Sequence, residues 1–194
     1  PPDNYQLQPR ESIANRTSPT NIGLAMLSGL SAYDFGYITP NLFIEKLQKT
    51  FATLNSLERF RGHFYNWYDT VSLVPLNPRY VSTVDSGNFV TSLLTLRQGL
   101  QELQDVKIFS DKYYLGLKDT VAAAKSSYDE PLHPLFKNIE KLNEGFIANR
   151  PESLYETINA LNVLLAEANA LKQNDGLQNN IDGISWLNKI ESHL

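Results

Sequence analysis

Cysteine is absent from this chain, so disulfides, thiolate nucleophiles and zinc-thiolate sites are excluded, and the redox compartment leaves no trace in the sequence. Histidine occurs only at positions 63, 133 and 193, a spacing that gives no expectation of a metal site. No apolar run approaches the roughly 20 residues of a membrane-crossing helix. Nor does a charged-then-apolar leader open the sequence, so a soluble piece with no direct membrane insertion is expected. Positive charge is also scarce: 17 Lys and Arg face 21 Asp and Glu, a net charge of −4, with no basic block to follow a phosphate backbone. Nucleic acid is therefore not an expected partner. What is present is ordinary globular material, 194 residues with 42% hydrophobic and 20% charged side chains, long enough for one buried core. The chain begins at Pro1 without methionine and stops at Leu194 inside a helical pattern, which predicts a single helical fragment over 1–194 of a longer polypeptide.

Helix grammar recurs along the chain. Ser18-Pro19 can cap and start a first helix that carries Ile22, Met26, Leu30 and Tyr33 and ends at Gly36. Thr39-Pro40 starts a second, with Phe43, Leu47, Phe51 and Leu54 as its buried stripe. The short link predicts that the two are antiparallel neighbours. An extended excursion is expected over about 71–84, centred on Val71 to Leu76, before a third helix from Asp85-Ser86 with Phe89, Leu93, Leu96, Leu100 and Leu103 inward. A fourth is expected from about Phe109 to Ser126 with Tyr113, Leu117, Val121 and Ala124. After Pro131 and Pro134 a fifth carries Leu135, Ile139, Leu142 and Phe146. Arg150-Pro151-Glu152 opens a sixth, with Leu154, Ile158, Leu161, Leu165 and Ala168 on one face, and a last runs from about Leu177 with Ile181, Ile184, Leu187 and Ile190. The tyrosines of the second half, Tyr113, Tyr114, Tyr128 and Tyr155, read as packing residues. No strand-length alternation competes, so the expected class is all-α, about seven helices in antiparallel hairpins of the kind that build an α/α toroid or solenoid.

One stretch departs from this pattern. Arg59 to Thr70 and Arg79 to Asn88 crowd aromatic rings, amides, arginines and acids into text without period, where connecting loops are ordinarily small and polar. Helix direction assembles it with other unusual text. The start of the first helix, the end of an antiparallel second and the start of the third must share one end of the bundle. That end is rimmed by Asp3, Asn4, Tyr5, Gln6, Arg16, Asn21, Arg61, His63, Tyr65, Asn66, Trp67, Asp69, Asp85 and Asn88. Carboxylates, amides and guanidinium groups satisfy sugar hydroxyls, and flat rings receive sugar C–H faces, so a carbohydrate site is expected. Other readings stay open at this point. Tyr65 or Trp67 can be core, Arg61 or Arg79 can pair with Asp69 or Asp85 in a structural polar network, and His63 can be structural or an acid/base group. Asp69 and Asp85 can also form a carboxylate pair for glycoside chemistry, and a phosphate at the two helix N-termini is a weaker option because both acids would repel it.

Four blocks carry a family resemblance: Pro1 to Gln6, Arg16 to Leu24, Arg61 to Thr70 and Pro78 to Asn88. In this order over the first half of the chain they resemble the central, glucoamylase-like region of the cyclic β-1,2-glucan synthases, while the helices after Leu103 match only in pattern. The resemblance implies the N-terminal half of an (α/α)₆ toroid within a large bacterial inner-membrane protein. There, one glycosyltransferase domain elongates β-1,2-glucan from UDP-glucose, a phosphorylase-like domain adjusts length, and the toroid is associated with the transglycosylation that closes the ring. It further implies that the catalytic glutamates lie in the later half, that the fragment uses no cofactor and is inactive alone, and that its motif residues line glucan subsites. Its implied partners are β-1,2-glucan, the missing half of the toroid and neighbouring domains. The competing expectation is a non-catalytic helical module whose motif face docks another domain.

Overall fold

The computed structural model describes residues 1–105 and 110–194, and it is all-α: 65% of it is helical, in seven helices among the described residues, with little strand. The helices are α1 (Pro19–Asp34), α2 (Pro40–Ser56), α3 (Thr83–Leu103), α4 (Asp111–Ser126), α5 (Lys137–Ala148), α6 (Leu154–Lys172) and α7 (Ile181–His193). Two compact units result, one from Pro1–Ser31 with the stretch from Asn41 through α3, the other from Ala32–Pro40 with the helices after α3.

In the first unit the caps read from sequence are in place. Ser18 Oγ accepts from Asn21 N–H (3.2 Å), so α1 opens at Pro19, and Gly36 lies just past its end at φ +73°. Phe43 of α2 faces Gly29 of α1, and Leu54 and Leu57 share a cavity wall with Ile22, so α1 and α2 are antiparallel. Close approach then sets α3 parallel to α1. A Cβ on Gly23 would lie 2.7 Å from Ser92 Oγ, and one on Gly99 would lie 2.6 Å from Leu30 Cδ2. The starts of α1 and α3 and the end of α2 consequently meet at one end, as the helix directions predict. Ile22, Met26, Leu30, Phe43, Leu47, Leu54, Phe89 and Leu96 form the buried side, each contributing about 1.5–3 kcal/mol by burial.

Some expectations for this unit are corrected. Phe51 is 37% exposed. At 100° per residue it falls about 80° from Phe43 on the helix, whereas Leu54 falls within about 20°, so Phe51 sits at the edge of the stripe. Leu93, Leu100 and Leu103 are only half-buried. The third helix starts two residues early, at Thr83, because Ser82 is the cap and accepts from Asp85 N–H (3.1 Å). The excursion after Thr70 is not extended throughout: residues 71–73 turn, and Val74 to Leu76 return alongside Trp67 to Asp69. The proline-bounded opening folds as a hairpin of β1 (Asn4–Gln6) and β2 (Ser12–Ala14), and two further pairs join β3 (Arg16–Thr17) to β6 (Tyr68–Asp69) and β4 (Arg59–Phe60) to β5 (His63–Phe64).

The second unit packs α4 against α5 and α7, and α6 against α5 and α7, around Leu117, Val121, Phe136, Ile139, Leu164, Leu187 and Ile190. The predicted start of the fourth helix at Phe109 lies outside the described residues. Its core positions Tyr113, Leu117, Val121 and Ala124 are buried as expected. Leu135 is not: Pro134 holds Glu130–Phe136 in a 3₁₀ turn, which turns Phe136 inward instead. The sixth helix begins at Leu154, behind a capping box of Ser153 and Glu156, rather than at Pro151. It buries Thr157, Ala160, Leu164, Ala168 and Leu171, a face rotated about 80° from the predicted one, and leaves Leu154, Ile158 and Tyr155 in solvent. The apolar arc of α6 is broad, running from Ala160 and Leu164 through Ala168 and Leu161 to Ile158, so periodicity alone does not choose which half of it is buried. In α7 Ile181 is 85% exposed because it directly follows the cap Asn180, and Leu177, on a preceding 3₁₀ turn, takes the buried place.

Candidate functional site

The end of the first unit where the helix termini meet is organised by two carboxylates. Asp3, carried in front of β1, accepts Arg16 Nε and Nη2 on Oδ2 (3.0 and 2.9 Å) and Asn21 Nδ2 on Oδ1 (3.0 Å). The hydrogen bond from Asn21, then those from Arg16, hold its carboxyl below the ordinary range. Asp85, in the first turn of α3, is half-buried. Burial pushes its carboxyl up, but hydrogen bonds from Ser82, Thr20 and Ser18 side chains and the Thr20 backbone outweigh it and leave the carboxyl below its ordinary value. Those donors include the starts of both α1 and α3. The protein's own carboxylate therefore lies where the two helix starts would attract an anion.

Asn66 bridges the two sides. It is 5% exposed, its N–H donates to Asp85 Oδ2 (2.7 Å), and its oxygen accepts from Trp67 Nε1 and Tyr80 OH (2.7 Å each). Trp67 stays half-buried, with the Arg16 guanidinium 4.6 Å from its ring centroid, so Arg16 joins the Asp3 side to the Asn66 side. Asn88 closes the network by donating to Thr20 Oγ1 (3.2 Å). The structure thus brings together Asp3, Arg16, Asn21, Asn66, Trp67, Asp85 and Asn88. Sequence reasoning missed Ser18, Thr20 and Tyr80 as members; all three lie in the blocks it singled out, but only the Ser18 cap carried a local signal.

The remaining candidates lie elsewhere in the unit. Tyr65 is half-buried beside Tyr68, its backbone N–H donating to the Tyr68 hydroxyl (2.8 Å), with the Arg79 guanidinium 5.8 Å from its ring centroid. Neither Tyr65 nor Trp67 is fully buried core. Arg61 and His63 are exposed on the β4–β5 hairpin, where Arg61 and Gly62, both at positive φ, make the two-residue turn and Arg61 lies over Phe60. Asn4, Tyr5 and Gln6 are exposed on β1, where Tyr5 OH donates to Glu11 (2.6 Å). The proposed arginine–acid pairs differ from expectation: Arg79 pairs with Glu58 (2.7 Å). Asp69 Oδ1 instead accepts from Ser72 N–H (2.6 Å), Ser72 Oγ (2.9 Å) and Val71 N–H (2.9 Å), and the Ser72 bonds lead in lowering its carboxyl. That is the pattern of a side chain holding a turn. Of the other expected packing tyrosines, Tyr113, Tyr114 and Tyr128 are buried and Tyr155 is 74% exposed.

An all-α chain whose helix termini gather carboxylates, amides, an arginine and a half-exposed tryptophan belongs with proteins that present a polar, aromatic end to the surface. Over 153 residues it is 39% identical to the cyclic β-(1,2)-glucan synthase NdvB of Rhizobium meliloti (strain 1021), a match covering 75% of this chain and 5% of that protein. The chain is similar to that segment of the synthase. It spans only about a twentieth of the relative's length. No family model matches the chain. No helix among the described residues is long and apolar enough to cross a membrane.

Proposed function

We propose that the chain is part of a cyclic β-1,2-glucan synthase, a glycosyltransferase in its whole form, and that the polar end of the first unit is one wall of the glucan cleft in the ring-closing transglycosylase domain. The observation that carries this reading is the convergence of four separate sequence blocks on one network that leaves Trp67 half-exposed, with Tyr65 half-exposed beside Tyr68 elsewhere in the same unit. Each of these rings has a guanidinium over one face, so ring and arginine together offer a flat surface for sugar C–H groups and donors for its hydroxyls. Asp3, Asn21, Asn66, Asp69, Asp85 and Asn88 supply acceptors and amides; Asn4, Tyr5, Gln6, Arg61 and His63 stand on the two hairpins as an outer rim.

In this reading the chain forms half of an (α/α)₆ toroid in a membrane-associated parent. The catalytic glutamates lie in the other half, the isolated chain is inactive, and UDP-glucose is handled by a different domain. The test is ring closure by the parent polypeptide on linear β-1,2-glucan. Trp67→Ala is expected to lower cyclisation by up to about tenfold, the worth of one aromatic contact, with partial rescue by Trp67→Tyr. Cyclisation at the parental rate in Trp67→Ala would sink the subsite role.

A second reading has its own observation. In it the chain is a non-catalytic helical module whose motif face docks another domain, and Val71, Val74 and Tyr80, exposed within and between the motif blocks, give that face apolar surface. That reading predicts no change in the Trp67 indole resonance on adding soluble β-1,2-glucan. A saturable shift there rejects it.

A further inference from the structure

The turn that ends α1 carries two aromatic rings into solvent. Phe35 is 64% and Tyr37 39% exposed, and their rings stack with centroids 5.7 Å apart and planes 27° from parallel. One exposed ring is ordinary, but two in contact make a flat apolar surface. The backbone beneath them is fixed. Gly36 N–H donates to Tyr33 O (2.9 Å) and Tyr37 N–H to Ala32 O (2.8 Å), the paired closure of a Schellman motif, with Gly36 in the left-handed region. A Cβ on Gly36 would lie 1.8 Å from Lys112 O, so the turn rests directly on the α4 backbone. Helix α4 then sets polar groups beside the rings. Tyr37 OH donates to Asp119 Oδ2 (3.3 Å), both residues are exposed and the bond between them is open to solvent. Lys112 Nζ pairs with Asp34 Oδ1 (2.8 Å).

We propose that this turn is a sugar-binding platform in the second unit: one glucosyl unit of a β-1,2-linked glucan lays its C–H face on the Phe35–Tyr37 surface, and its hydroxyls bond to Asp119 and the Tyr37 oxygen. A flat ring pair edged by a carboxylate and a phenol matches a sugar ring, which presents C–H groups on its face and hydroxyls around its rim. Because the backbone is already held, little ordering is lost on binding. An anion is disfavoured by Asp119 and Asp34, which stand beside the rings. The choice of a β-1,2-linked sugar rests on the glucan reading. The site does not, since none of its residues belongs to the polar network of the first unit.

The test is a titration of the 194-residue chain with the β-1,2-linked disaccharide of glucose, following the Phe35 and Tyr37 ring resonances and the Trp67 indole together. Saturable shifts at both rings are expected, with a dissociation constant of about 1 mM, as suits an open surface. Phe35→Ala is expected to weaken binding about fivefold, read at Tyr37. Asp119→Asn, which keeps the shape and removes the charge, is expected to weaken it by about the same factor and keeps the proposal testable if Phe35→Ala fails to fold. Tetramethylammonium, which rings beside a carboxylate could also attract, is expected to bind more weakly than the sugar. A shift at Trp67 without one at Phe35 would overturn the platform and leave the cleft reading standing, whereas a shift at Phe35 without one at Trp67 would support the platform and count against the cleft. Ring shifts that stay linear in the sugar, parental affinity in Phe35→Ala or in Asp119→Asn, or tighter binding of tetramethylammonium would each overturn it.

Discussion

Every polar atom of the Asn66 side chain has a partner: Asp85 receives its N–H, and Trp67 and Tyr80 donate to its oxygen. Cutting the side chain back to alanine removes all three bonds and leaves the indole N–H of half-buried Trp67 without its acceptor, and leaving such a group unmet is worse than the modest gain of having made the bond. Asn66→Ala is accordingly expected to lower the stability of the first unit by about 2 kcal/mol, while Asn4→Ala on the exposed β1 strand stays within about 0.5 kcal/mol of the parent. Urea unfolding followed by Trp67 emission in a Trp186→Phe background measures both, and equal midpoints for the two variants would remove Asn66 from the centre of the network. At this scale the sequence disclosed chemistry better than partnership. Asp3, Arg16, Asn66, Trp67 and Asp85 were legible because amides, acids and rings are out of place in a loop. Thr20 and Tyr80 were not, since a threonine near a helix start and a tyrosine after a proline are unremarkable until the folded chain sets a carboxylate or an amide beside them. Arg79 illustrates the same limit: either acid of its own block was a candidate partner, and tertiary position chose Glu58 at the end of α2.

Helix starts and stops were the most readable elements, because caps and prolines act locally. Ser18-Pro19 and Gly36 mark α1 where the structure ends it, and Pro40 opens α2. Which side of a helix turns inward was readable only where one side is clearly apolar, as in α4, and not in α6, where two faces qualify. Gly36 shows a local signal with a tertiary purpose the sequence did not disclose. Beyond ending α1, its backbone lies against α4, so that a Cβ added to Gly116 would come within 2.1 Å of Gly36 O. That neighbour is backbone and cannot rotate away. Gly116→Ala is expected to destabilise the second unit by about 3 kcal/mol, well beyond the small gain in helix propensity that the same change gives on an exposed helix. Thermal unfolding read by Trp186 emission in a Trp67→Phe background is the measurement, and a midpoint within a degree of the parent would show that the two backbones separate freely.

The whole molecule carries one tryptophan in each unit, and its titrating groups differ between them in a way that acid can resolve. In the second unit His193 is 4% exposed, with Nε2 3.1 Å from the Tyr113 carbonyl and Nδ1 buried without a partner among the described residues; burial lowers its pKa from 6.5. A histidine kept neutral by folding binds more protons unfolded, so stability is undiminished above 6.5 and falls as pH drops below that value. In the first unit Asp3 and Asp85 are lowered from 3.8, so their contribution is complete above 3.8 and is lost only as pH falls through their folded values. Lowering the pH from 7 is therefore expected to move the urea midpoint seen by Trp186 first and that seen by Trp67 only in stronger acid, with His193→Phe removing the earlier shift. Coincident shifts at Trp67 and Trp186 would contradict this ordering. Finally, β3 pairs Arg16 with Asp69 and Thr17 with Tyr68, joining positions roughly fifty residues apart in the chain. During synthesis the arm bearing Asp3 and Arg16 therefore waits until α1, α2 and the loop beyond them have emerged. Its polar, proline-bounded composition suits that wait, since an apolar arm would have sought company too soon.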